Sequence, residues 1–190
     1  MKLKNLIIAI AALAGLNSCE DKTEVLYFTG DSIVARWDLS EYFPAYVCHN
    51  EGVSGSGIEY LESQAGKYAG KNGVVISGTN DLGLMSSMTL EAYATRYLSA
   101  LENMHAERLY LYPVLPRDCE GEGPGVIKAI SEFNDKVKQL TADEPTIIYL
   151  DVFGLFMLDG KPNPQYFSDH LHLTPYGYEV LAKKLTEHIK

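Results

Sequence analysis

The chain has 190 residues, which fits one domain and leaves little room for a second. Hydrophobic residues make up 46% and charged residues 22%, the balance of an ordinary globular protein. A formal net charge of −9 repels phosphate backbones and anionic bilayer surfaces, so nucleic acid is excluded as a partner.

Residues 1–18 read as a removable leader. Lys2 and Lys4 form a positive n-region, and residues 6–16 an apolar run too short to span a bilayer comfortably. Leu16-Asn17-Ser18-Cys19 then resembles a bacterial lipobox, in which the cysteine is lipidated and becomes the first residue of the mature protein. A plain secretory leader, with Cys19 a bystander, is the alternative. On the lipoprotein reading the protein is exported. It touches a membrane only through the anchor at Cys19, on the periplasmic face or at the cell surface. Residues 19–24 form a polar tether, and one domain follows over 25–190.

Within that domain strand-like and helix-like segments alternate. Residues 25–29 are an apolar run ending at Gly30, and residues 45–49 a second, stopping at Asn50-Glu51-Gly52. Residues 73–77 are rich in β-branched side chains. A fourth strand is expected over 108–115, with Pro113 and Pro116 at its frayed end, and a fifth over 146–150. Between them Leu90, Tyr93, Ala94, Tyr97, Leu101 and Met104 recur at helical spacing behind the cap candidate Thr89. Val126, Ile130, Phe133, Val137 and Leu140 do the same. The last helix opens at Thr174-Pro175 and carries Tyr178, Leu181, Leu185 and Ile189 on one face. Strands separated by helices of this length imply an α/β class: a mostly parallel sheet covered on both faces, in three layers.

Ligands bind beyond the carboxyl ends of the strands in such a sheet. The polar punctuation falls there. Gly30-Asp31-Ser32 follows the first strand, Gly52-Val53-Ser54-Gly55 the second and Gly78-Thr79-Asn80-Asp81 the third. The stretch 152–168, leading to Asp169-His170-Leu171-His172, follows the fifth. Each motif is weak alone. Gly-Asp-Ser can be a turn that caps a helix, Gly-Thr-Asn-Asp is ordinary loop composition, and Asp169 with His172 can be a surface pair.

The ordered set resembles the SGNH (GDSL-type) hydrolase family, named for four residues in four sequence blocks. The blocks match at Gly30-Asp31-Ser32-Ile33, at Asn50-Glu51-Gly52-Val53-Ser54-Gly55, at Gly78-Thr79-Asn80-Asp81, and at Asp169-His170-Leu171-His172. The resemblance implies a flavodoxin-like five-stranded parallel sheet in a three-layer α/β/α sandwich. It also implies ester hydrolysis, with three oxyanion donors: the backbone N–H groups of Ser32 and Gly55 and the side-chain amide of Asn80.

The residue chemistry fits acyl transfer on its own terms. A serine hydroxyl is a poor nucleophile until an imidazole takes its proton, and His172 can be that base for Ser32. Asp169, three residues earlier, can hold the imidazole tautomer and stabilise the imidazolium. Negative charge developing on the carbonyl oxygen needs fixed donors. No cofactor is called for, and no metal: there is no CxxC or HExxH, and an Asp-His-His cluster at 169–172 is the weaker reading of those residues. His49, His105 and His188 read as surface or strand-end residues. Asp118, Glu120 and Glu122 read as a solvated acidic loop. Trp37 is open between lining a subsite and packing, and Cys48 with Cys119 could pair if their Cα atoms come close enough.

A small-molecule or glycan ester is the expected substrate. With no insertion long enough to be a lid domain, a short acyl group, such as acetyl on a carbohydrate, suits an open site. A lysophospholipase or thioesterase is the alternative, with Phe153, Leu155, Phe156 and Met157 sheltering a longer chain. A non-catalytic binding lipoprotein is the alternative of another class. A dinucleotide-binding fold fails because Gly52, Gly55 and Gly57 have the wrong order, and an α/β-hydrolase because its Gly-x-Ser-x-Gly elbow is absent.

Overall fold

The computed structural model describes residues 24–82, 88–119, 121–123 and 125–189. The leader, the lipobox with Cys19, all of the tether but Glu24, and Glu120 lie outside the described residues. The first half of the chain runs β1 (Val25–Gly30), α1 (Ser32–Ala35), α2 (Leu39–Tyr42), β2 (Val47–Gly52), α3 (Ile58–Ser63) and β3 (Asn72–Ile76). A 3-10 turn (Thr79–Asp81) then leads on to α4 (Leu90–Glu102) and β4 (Arg108–Leu111). The second half holds α5 (Val126–Thr141), β5 (Ile147–Tyr149), a 3-10 turn (Phe153–Phe156), β6 (Met157–Leu158), β7 (Lys161–Pro162) and α6 (Pro175–Thr186).

The first five strands form one parallel sheet in the order β2-β1-β3-β4-β5. Side chains alternate across it, and this alternation builds two cores. Phe28, Val74, Ile76 and Tyr112 face α1, α2 and α6, where Ile33, Val34, Trp37, Tyr178 and Leu181 meet them. Val75, Leu109, Leu111 and Ile147 face α3, α4 and α5, packing on Leu61, Tyr97, Phe133 and Val137. The α/β/α sandwich expected from the strand-helix alternation is therefore present. The chain passes from β1 to the edge strand β2 and back over β1 to β3. The switch point between β1 and β3 is where such a sheet opens a crevice.

Helix starts follow their signals. Thr89 Oγ1 accepts from the Ala92 N–H at 3.2 Å, and Thr174 Oγ1 from the Gly177 N–H at 3.2 Å with Pro175 in the first turn. Strand ends depart from expectation. The second strand begins at Val47 and continues through Asn50-Glu51-Gly52, which pair with Phe28, Thr29 and Gly30. The polar residues of its second half hid that half, and they have a use. Asn50 Nδ2 donates to the Val34 and Trp37 carbonyls at 2.8 and 3.1 Å, satisfying acceptors at the end of α1. The fourth strand ends at Leu111, not Leu115. Trp37 is core: it is 3% exposed and stacks on Tyr178 at 5.5 Å, so it lines no subsite. Cys48 and Cys119 are both free thiols.

Candidate active site

The site grows from the end of β1. Gly30 has φ +139, and a Cβ there would lie 1.8 Å from the Ile76 carbonyl oxygen, so only glycine lets β1 turn this close to β3. Asp31 follows as the cap of α1, its Oδ1 accepting from the Ile33 N–H at 2.9 Å. Ser32 is then the first helical residue, and its hydroxyl is presented at the crevice.

The base arrives from the other end of the chain. Phe167 and Leu173 are buried and bridge each other, anchoring both ends of a tight loop to the core through Phe156. Within the loop the Ser168 N–H donates to the His172 carbonyl at 2.7 Å. Asp169 Oδ1 accepts from the N–H groups of Leu171 and His172 at 2.8 and 2.6 Å, which leaves Oδ2 to meet His172 Nδ1 at 2.7 Å. That carboxylate partner puts the ring proton on Nδ1 and leaves Nε2 an acceptor. Nε2 lies 3.1 Å from Ser32 Oγ. The three residues singled out in the sequence thus form one hydrogen-bonded chain. Burial works against the charge on Asp169. The N–H groups of His172 and Leu171 and the imidazole outweigh it, holding the carboxyl at about 2, so Asp169 is ionised wherever the imidazole needs it.

The expected donors lie on neighbouring loops. The N–H groups of Val53 (2.9 Å) and the hydroxyl of Ser56 (2.9 Å) both donate to the Gly30 carbonyl, which ties the Gly55 loop to the end of β1. Gly55 sits at φ +79 with open space where a side chain would project. Asn80 Nδ2 donates to the Ser56 carbonyl at 2.8 Å, joining the third block to the second. A primary amide carries two hydrogens, so the second stays available. No hydrogen bond among the described residues engages the N–H of Ser32 or of Gly55. Ser32 at the start of α1, the Asp169–His172 pair and the loops of Gly55 and Asn80 therefore meet at one edge of the sheet, an arrangement able to perform acyl transfer.

The sequence model of the GDSL-like lipase/acylhydrolase family matches residues 28–180. The chain belongs to that family. Solved structures of similar fold include a candidate platelet activating factor from Streptococcus pneumonia, 23% identical (91% of this chain, 87% of that one, TM-score 0.70). Another is the lipase/acylhydrolase of Enterococcus faecalis, 18% identical (88% and 95%, TM-score 0.71). A third is a catalytic mutant of an acetylxylan esterase from Geobacillus stearothermophilus, 17% identical (88% and 95%, TM-score 0.66). A comparison with curated proteins gave no match.

Two residues of this acylhydrolase matter more than their sequence signals suggested. Asp31 is 1% exposed. Burial drives its carboxyl up, the Ile33 N–H pulls it down, and Asp81 and Arg117 act in opposite directions; the outcome is about 7. An unfolded aspartate titrates near ~3.9. The folded state therefore keeps a proton that the unfolded chain has released, and stability falls as pH rises from about 4 to about 7 and then levels off. Asp31→Asn removes that slope while keeping an oxygen for the Ile33 N–H. Its melting temperature is expected to exceed wild type at alkaline pH, with the gap closing on acidification below the unfolded value. A pH-independent gap would contradict the buried-proton account. The second residue is Arg117, whose partners lie inside the site. Within the acidic loop Glu122 is accordingly less solvated than expected, whereas Asp118 is exposed. Glu122 pairs with Arg117, and Asp118 lies 3.1 Å from His170 Nδ1. His170 is thereby drawn away from His172, and among the described residues no three His, Cys, Asp or Glu side chains gather to hold a metal.

Proposed function

We propose that this acylhydrolase is a serine carboxylic ester hydrolase that removes short acyl groups, acetyl above all, from a carbohydrate outside the cytoplasm. The observation that carries the catalytic part is the continuous chain Ser32 Oγ, His172 Nε2, His172 Nδ1, Asp169 Oδ2, at 3.1 and 2.7 Å. Ser32 Oγ attacks the ester carbonyl while its proton passes to His172 Nε2. The N–H groups of Ser32 and Gly55 and the Asn80 amide receive the oxyanion. When the tetrahedral intermediate collapses, the alkoxide leaves with the proton held on His172, and Ser32 carries the acyl group. Water then attacks this ester, giving its proton to His172, and the acid departs as Ser32 regains its hydrogen.

The short-acyl, carbohydrate part rests on what surrounds His172. A cleft of about 290 Å³ opens beside the ring, walled by Arg36, Asp38, Glu41 and Tyr42 together with Leu173 and Pro175. The exposed surface of the cleft is mostly apolar, with Tyr42 and Tyr178 among its lining, and Arg36, Asp38 and Glu41 add charged groups able to hydrogen-bond the hydroxyls of a sugar. The alternative acyl shelter is split by the fold. Phe156 is fully buried against Tyr166 and Phe167, whereas Leu155 is 56% exposed. Export and anchoring rest on the leader and on Cys19 in its lipobox context. The similarity to an acetylxylan esterase supports the same substrate class.

The test is the acyl-length profile. An open site gains little per methylene, so kcat/KM is expected to fall steadily from acetyl to octanoyl nitrophenyl esters. Full burial is worth about 0.8 kcal/mol per CH₂, nearly fourfold in kcat/KM if expressed in the transition state. A profile that climbs out to octanoyl would replace the deacetylase reading with the lysophospholipase one.

A further inference from the structure

Arg117 lies in the acidic segment between β4 and α5, and its side chain is only 14% exposed. Burying a guanidinium costs free energy unless its donors are matched, so the destination of each N–H is informative. Nη1 donates to the Thr79 carbonyl at 2.6 Å and to the Thr79 hydroxyl at 3.1 Å. Nη2 donates to Glu122, whose other carboxylate oxygen accepts from the Cys119 N–H at 3.1 Å. The fork thus joins its own loop to the 3-10 turn on which Asn80 is the next residue. The Thr79 carbonyl belongs to the Thr79–Asn80 peptide plane, so holding it fixes the direction in which Asn80 leaves the turn. Arg117 Nε is buried without a partner among the described residues.

The neighbours of Arg117 grip the other half of the site. The Asp118 N–H donates to the His170 carbonyl at 3.3 Å, and the Asp118 carboxylate lies 3.1 Å from His170 Nδ1. Cys119 Sγ approaches the same carbonyl at 3.8 Å. His170 sits between Asp169 and His172 in the loop that carries the base. Three consecutive residues therefore touch both the turn presenting Asn80 and the loop presenting His172.

We propose that Arg117 is a positioning residue for the hydrolysis: it clamps the Thr79–Asn80 turn so that the Asn80 amide stays aimed at the acyl oxygen, in register with His172. The proposal rests on Asn80 being an oxyanion donor. Arg117 itself touches neither substrate nor the reacting atoms. Its effect follows from preorganisation, since an oxyanion donor acts only if it is held in place before charge develops.

The experiment is a double-mutant cycle on the mature domain, with kcat and KM read on nitrophenyl acetate and folding checked by thermal unfolding. Arg117→Gln is expected to lower kcat by about 10–10²-fold with KM near wild type, the cost of misplacing a catalytic group by about an ångström. Arg117→Lys should recover part of the loss, because an ammonium can reach the Thr79 carbonyl but cannot fork to Glu122. On the Asn80→Ala background the further loss should shrink to a few-fold at most, because the donor being positioned is gone. A full kcat in Asn80→Ala would defeat the oxyanion assignment itself. A depressed kcat in Asn80→Ala would overturn the clamp alone if Arg117→Gln is silent in the otherwise wild-type enzyme, or if its loss there is carried in full into the double variant. If Arg117→Gln does not fold, the cycle is run with Arg117→Lys, and additivity there overturns the clamp equally.

Discussion

Ser32→Ala is expected to lower kcat by about 10⁴–10⁶ on any ester the enzyme accepts, the scale seen when a nucleophile is deleted from an acting triad. The substitution removes one oxygen that lies 3.1 Å from His172 Nε2. It leaves the cap of α1 in place, because the Asp31 carboxylate accepts from the Ile33 N–H and not from Ser32. His172 keeps its bond to Asp169, and alanine is a good helix former, so the fold should be unaffected. Thermal unfolding near wild type beside a collapsed kcat is the expected pair of results. A variant retaining more than about a tenth of kcat would show that Ser32 is not the attacking group, since no other oxygen nucleophile could substitute so efficiently.

Asn80→Ala should cost about 10²–10³ in kcat while leaving KM near wild type. The amide already spends one hydrogen on the Ser56 carbonyl at 2.8 Å, and this bond holds it beside the Gly55 loop. The remaining hydrogen is the one expected to strengthen as charge develops on the acyl oxygen. Backbone donors on Ser32 and Gly55 survive the substitution, so the loss is smaller than that of the nucleophile. A change confined to KM would move Asn80 from transition-state stabilisation to ground-state binding.

The sequence announced the site more clearly than the architecture around it. Ser32, Gly55, Asn80, Asp169 and His172 all sit in or just after turns, where turn chemistry and short spacing leave a readable trace. The interior strands were legible for a similar reason: β3 is buried on both faces and reads as a near-continuous β-branched run. The edge strand β2 was legible only in its first half, where residues 47–49 fall within the expected run. Asn50 on one face and Glu51 on the other give its second half a polarity that mimics a loop, although both lie in the ladder. The short α3 and the β6–β7 hairpin have too few residues to show a period. Trp37 could be assigned to the core only once α6 brought Tyr178 against it, a contact across 141 positions of sequence. Arg117 and Asp31 escaped for a different reason. Their importance lies in burial and in partners on distant loops, which no local pattern records, even though Asp31 stands in the Gly30-Asp31-Ser32 motif and caps α1 as such a turn can. A lone arginine heading the acidic run Asp118 to Glu122 was the one available hint.

Labelling with a fluorophosphonate tests the central claim most directly, because such reagents trap an activated serine hydroxyl and ignore unactivated ones. Digestion and mass spectrometry of the labelled mature domain should find about one equivalent of label per chain. The label should lie on the peptide containing Ser32, and Ser32→Ala should take up none. Label on another residue, or none at all on a preparation that hydrolyses esters, would contradict the assignment of Ser32 as the nucleophile.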